Sequence, residues 1–133
     1  MTQPLVLLVD DEPSIRRAFT RALLRFGFEA VGVSDAESAL IVLGETRVDA
    51  LVMDLNLAST RGDALALAVI RRWPWLRGRI VLMSGDPTRA EEWPDEIREC
   101  PLLAKPFSIE ALAGCLRDLI DRQESAVRRH GQA

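Results

Sequence analysis

The sequence predicts an α/β fold, a doubly wound sheet of five parallel strands with helices on both faces. Three observations predict it. Short apolar runs recur five times along the 133 residues. Stretches of helical period separate them. The first, third, fourth and fifth runs lead into acidic, hydroxyl and lysine side chains. Unbroken apolar runs suit strands buried on both faces, and helical crossovers between them make the sheet parallel.

The first run, Leu5-Val6-Leu7-Leu8-Val9, has no polar alternation and is rich in branched side chains. Ile15, Phe19, Ala22, Leu23 and Phe26 then fall at helical spacing, with Pro13 fitting the first turn and Gly27 the end. A second strand spans residues 29–33. Ser34 and Glu37 form a capping box ahead of a helix carrying Ala36, Ala39, Leu40 and Leu43, with Gly44 as its stop. Residues 50–53 give the third strand, and a loop through Gly62 leads to a helix that runs to about Trp73 and closes at Pro74. The fourth strand covers 79–83. Over 88–99 Pro94 predicts a short or broken helix. Leu102-Leu103-Ala104 is a short fifth strand. The last helix shows Ile109, Leu112, Ala113, Leu116, Leu119 and Ile120 on one face. The reading ends the domain at 122 and expects a polar, fraying tail over 123–133.

Composition excludes several classes of function. A net charge of −3 leaves no basic excess for direct contact with nucleic acid. No stretch approaches the roughly 20 apolar residues of a membrane helix, and the first residues lack the charge and apolar core of a secretory signal. Cys100 and Cys115 form no CxxC pair, and His130 is the one histidine, so a Cys/His zinc site is not expected. The cytoplasm is the expected setting.

The chemistry gathers at one end of the sheet, where parallel α/β folds bind ligands. Strand one ends in Asp10-Asp11 with Glu12 following, strand three in Asp54, strand four in Ser84-Gly85, and strand five in Lys105-Pro106. Each alone reads as a turn, cap or solvated residue. Turn residues would scatter over both ends, whereas these share one. Packed carboxylates repel one another until a proton or a cation relieves them. Oxygen ligands select a hard ion, Mg²⁺ or Mn²⁺. Such an ion beside a lysine suits phosphoryl transfer.

These residues, with MDLNL around Asp54, Gly62, the MSG of 83–85 and Lys105-Pro106-Phe107, resemble receiver domains of two-component response regulators. The resemblance covers about residues 5–122, with 44 residues from Asp10 to Asp54, 30 from Asp54 to Ser84 and 21 from Ser84 to Lys105. It implies a flavodoxin-like (βα)5 fold with strand order 2-1-3-4-5. It also implies a phosphorylation switch that catalyses its own phosphorylation and dephosphorylation. Asp54 would be the phosphoacceptor. Asp11, Asp54 and the Asn56 carbonyl would ligate Mg²⁺ or Mn²⁺, with Asp10 acting through water. Ser84 would be the switch hydroxyl and Lys105 the phosphate partner. Gly62 would serve the loop geometry, and the bond before Pro106 would be cis. A histidine kinase or histidine phosphotransfer protein would be the donor, and a downstream target or output domain would receive the signal.

The chain departs from the usual family pattern at four places: Ala58 where proline is common, Ser84 where threonine is common, Leu102 in place of an aromatic, and Pro94 in the fourth helix region. With no ring at Leu102, the signal is expected to travel through Gly85 and Asp86 toward Trp93. Two rival readings fit the residues less well. A docking module that is never phosphorylated usually loses the acidic pair, the nucleophile or the lysine, and this chain keeps all of them. A flavodoxin-like or nucleotide-binding enzyme is disfavoured by the absence of GxGxxG and GxxxxGK[ST], and flavin absorbance in the purified protein would revive it. Trp73, Trp75 and Trp93 read as packing or an interaction surface, and Arg16, Arg17, Arg21 and Arg25 as the solvated face of the first helix. Ser14, Ala18, Arg21 and Arg25 share one side of that helix, where the family docks its donor.

Overall fold

The computed structural model describes residues 3–57, 61–85 and 93–131, with backbone alone over 126–131. Five strands, β1 (Leu5–Val9), β2 (Glu29–Val33), β3 (Ala50–Asp54), β4 (Ile80–Ser84) and β5 (Leu102–Ala104), form one parallel sheet in the order β2-β1-β3-β4-β5. Between them lie α1 (Pro13–Arg25), α2 (Ala36–Glu45), α3 (Gly62–Arg72) and α4 (Asp95–Arg98), and α5 (Ile109–Gly131) follows β5. β3 and β4 are buried along their whole length, as their unbroken apolar sequences require.

Alternation along the strands divides the core in two. Leu7, Val9, Leu51, Met53, Ile80 and Leu82 pack against Leu43, Val69 and Ile97 of α2, α3 and α4. Val6, Leu8, Val52, Val81 and Met83 pack on the other face against Leu23, Leu112 and Leu116 of α1 and α5. The two faces anchor every strand, so a one-residue slip would bring the wrong set of side chains to each layer.

Several element ends differ from the sequence expectation. The N-cap of α2 is Asp35, whose Oδ1 accepts the Ser38 N–H at 2.7 Å. Ser34 instead donates to Asp35 Oδ2 at 3.1 Å. A carboxylate beside a hydroxyl wins the cap because it accepts more strongly near the helix N-terminus. Gly44 does not stop α2, which runs one residue further and is capped by Thr46. No Cβ would meet an obstacle at Gly44, so it is a tolerated helical glycine. After α3 the chain makes a 3-10 turn over Pro74–Leu76. The helix expected to be short or broken near Pro94 is short, with Pro94 as the N-cap residue of the four-residue α4. α5 continues through 123–131, where the expectation was a fraying tail. Gln123, Glu124, Ala126 and Arg128 are good helix formers, and Gln123 Nε2 donates to the Gly78 carbonyl at 3.4 Å. Ala58, Asp86 and the start of the segment expected to be a broken helix lie outside the described residues.

Candidate functional site

β1, β3, β4 and β5 run parallel and end at the same rim, which brings their terminal polar residues together. Asp10 and Asp54 are buried there, and Asp11 is half-buried. Each of the three offers a carboxylate oxygen within 4.8 Å of the others. Lys105, just past β5, points its Nζ at Asp54 Oδ2 at 2.5 Å. The other oxygen of Asp54, Oδ1, accepts the backbone N–H of Asn56 at 2.8 Å. Asn56 thus already turns toward the acidic cluster through its main chain.

Asp10 is held differently. Its backbone N–H donates to the Val33 carbonyl at 3.1 Å, and its Oδ1 accepts the Glu12 N–H at 2.9 Å. Oδ2 is buried and accepts no hydrogen bond among the described residues. Lys105 Nζ stands 3.9 Å from it, too far for a hydrogen bond. Burial is the largest influence on this carboxyl and drives its pKa above the ordinary value. The Glu12 N–H and Lys105 pull it down, and the Asp54 and Asp11 charges push it up again. An orphaned carboxylate oxygen facing two other carboxylates is a poor end state for a protein interior, and a cation resolves it. The donor set is all oxygen, so the cluster fits a hard divalent ion.

Lys105 shows the reverse balance. Burial, the largest single influence, depresses its pKa. The hydrogen bond to Asp54 and the charges of Asp54, Asp10 and Glu12 outweigh that and leave it raised. It stays an ammonium across the physiological range. Ser84 is buried at the end of β4, and its carbonyl accepts the Lys105 N–H at 2.8 Å, which ties the two strand ends together. The Lys105–Pro106 peptide bond is cis.

Gly62 has another physical basis than the expected loop geometry. It is the first residue of α3 and donates to the Leu55 carbonyl at 3.0 Å. A Cβ there would fall 2.6 Å from Leu55 Cα and closer still to the Asp54 carbonyl. Glycine is needed for close approach of α3 to the end of β3.

Sequence reasoning assigned Arg16 to the solvated face of α1, and here the structure corrects it. Arg16 NH1 donates to the Asp10 carbonyl at 2.7 Å, and its stem lies over Gly32 of β2. The available signal was that strand glycine, which leaves room for a long side chain. The other positions of that helix agree with the expectation: Ser14, Arg17, Ala18, Arg21 and Arg25 are exposed and Leu23 is buried. Beside them, Ile15, Phe19, Lys105, Pro106 and Phe107 line an open apolar cleft of about 370 Å³. Trp93 is buried in the core, and Trp73 and Trp75 pack against it at its edge, with Arg72 and Arg47 over their rings.

A doubly wound parallel sheet with three carboxylates and a lysine at its carboxyl rim presents a site suited to a hard cation and a phosphoryl group. The comparisons with known proteins identify the family. The response regulator receiver domain profile matches residues 6–117, and the chain belongs to that family. It is 34% identical over 109 residues to the response regulator protein FleR of Pseudomonas aeruginosa, covering 80% of this chain and 22% of FleR. It is 32% identical over 129 residues to the regulatory protein VirG of Agrobacterium tumefaciens, covering 92% of this chain and 46% of VirG. The chain therefore spans less than half the length of these relatives. Among solved structures it is similar to the signal receiver domain of an HD domain-containing protein from Pseudomonas fluorescens Pf-5. The TM-score is 0.82 at 25% identity, covering 92% of this chain and 98% of that one. The chain is thus a regulatory receiver domain of two-component signalling, and none of its described helices is long and apolar enough to cross a membrane.

Proposed function

We propose that Asp54 accepts a phosphoryl group from a histidine kinase or histidine phosphotransfer protein. The observation that carries this reading is the placement of the Asp54 carboxylate. It lies at the end of the central strand, buried, with Lys105 on one oxygen and two further carboxylates within 4.8 Å. In the reaction an Asp54 oxygen attacks phosphorus, and the bond from phosphorus to the donor nitrogen breaks with its electrons left on the imidazole. Lys105 transfers its hydrogen bond from Asp54 to a phosphoryl oxygen, and the Ser84 hydroxyl donates to another.

Charge decides what else is needed. Each pair of like charges near 5 Å repels by about 3–4 kcal/mol at an effective dielectric of 20. One lysine cannot offset three carboxylates and an incoming phosphoryl group. The carboxylates of Asp10, Asp11 and Asp54, with the Asn56 carbonyl, fit Mg²⁺ or Mn²⁺, Asp10 acting through water. When bound, the ion neutralises charge at the acceptor and on the transferring group. The same groups would serve self-catalysed loss of the phosphoryl group to water.

Donor recognition uses Ser14, Ala18, Arg21 and Arg25 of α1, beside the cleft at Phe19 and Phe107. Small side chains admit a partner helix, and the arginines pair with its acids. The output passes to a downstream protein or a further domain, in the cytoplasm, where the unpaired Cys100 and Cys115 stay reduced. Treatment with acetyl phosphate and Mg²⁺ should add one phosphoryl mass to the intact chain. EDTA should abolish the gain, and so should Asp54→Asn. Full labelling of Asp54→Asn would refute the assignment.

A further inference from the structure

The large apolar side chains left exposed among the described residues lie on α1, β2 and α2, the elements that lead into and out of the edge strand. Leu24 of α1 is 58% exposed, Val31 of β2 40%, and Leu40 and Ile41 of α2 39% and 55%. β2 pairs with β1 along one side only, so it is an edge strand of the sheet. Its sequence, EAVGV, carries neither of the usual edge guards, lysine and proline. Against α1, Leu5, Thr20, Arg21, Leu24, Glu29 and Ala30 line an open groove of about 440 Å³.

α1 and α2 lie on opposite faces of the sheet, so one chain cannot cover its own patch. Their outer surfaces carry opposite charge. α1 exposes Arg17, Arg21 and Arg25, and α2 exposes Glu37 and Glu45. We propose that this edge is a self-association surface, occupied by a second copy whose two-fold axis runs along β2. That axis exchanges the faces of the sheet. α1 of each copy then meets α2 of the other, arginine against glutamate, with Leu24, Leu40 and Ile41 shielded and Val31 near the axis. The alternative axis, perpendicular to the sheet, would set α1 against α1 and α2 against α2, and like charges oppose it. The apolar residues supply the burial and the charges select the arrangement. Arg21 also belongs to the face proposed for donor docking, so a second copy there would exclude the donor. The surface itself does not depend on phosphorylation.

Sedimentation equilibrium of the full chain tests it. Wild type should show a reversible dimer up to millimolar chain concentration. Arg17→Glu/Arg21→Glu makes both helices acidic, and Glu37→Arg/Glu45→Arg makes both basic. Each variant alone should dimerise weaker by roughly tenfold or more, because both contacts become repulsive. An equimolar mixture should recover dimerisation, because both contacts again pair acid with base. Unchanged far-UV circular dichroism and melting would show that the variants fold, and the uncharged Ile41→Asn should weaken the dimer by removing apolar burial while leaving both charged surfaces as they are. Three outcomes would overturn the proposal: a monomeric wild type, variants that dimerise like wild type, or folded variants whose mixture stays monomeric.

Discussion

At the scale of single residues, Asp10 is the clearest case of a group placed against its own stability. Its Oδ2 is buried without a hydrogen bond, and burial raises its pKa. A carboxyl whose folded pKa lies above the unfolded value favours folding at low pH and loses that contribution as pH rises through the folded value. At neutral pH, without metal, Asp10 therefore supports the fold less than it does at low pH. Asp10→Asn should stabilise the metal-free chain at pH 7 by about 1–2 kcal/mol, the usual cost of an unsatisfied buried polar group. The advantage should shrink as pH falls through the raised pKa, and denaturant melts at several pH values would measure it. Equal stability of the two proteins at pH 7 would contradict this account of Asp10. Asp10, Asp11, Asp54, Ser84 and Lys105 were legible in the sequence because strand ends are readable and parallel strands end together. Arg16 was not, because its use depends on the tertiary approach of β2. The need for glycine at 62 was legible, but its reason, the approach of α3 to the Asp54 carbonyl, was not.

At the scale of elements, β1, β3 and β4 read cleanly because burial on both faces imposes continuous apolar runs. Helix ends read less well. Asp35 and Ser34 both qualify as caps, and only the observed N–H of Ser38 decides between them. The end of α5 was missed because polar residues of high helix propensity resemble a solvated tail. α4 has four residues, and β5 has three, with Leu102 half-buried where the family often places an aromatic. A leucine has no ring to swing as Ser84 engages a phosphoryl group. A four-residue helix started by Pro94 makes few intrahelical bonds and rearranges at low cost. Amide chemical shifts with and without beryllium fluoride and Mg²⁺ should therefore change most between Gly85 and Ile97 and modestly at Leu102. Changes confined to Asp10, Asp11, Asp54 and Lys105 would mean that the signal leaves the site by another route.

At the scale of the whole molecule, two cores lock the sheet, and the strand ends share one rim because every crossover returns the chain to the same starting side. The fold thereby brings Asp10, Asp11, Asp54, Ser84 and Lys105 from four stretches of sequence to one rim, and in the proposed function the carboxylates there take a cation before a phosphoryl group approaches. The account stands or falls on where that group becomes attached. Borohydride reduces an aspartyl phosphate to homoserine, which marks the acceptor permanently for peptide sequencing by mass spectrometry. After phosphodonor and Mg²⁺ treatment, the account predicts homoserine at position 54 and at no other aspartate. Homoserine at Asp10 or Asp11, or none in a chain whose intact mass shows phosphorylation, would contradict it.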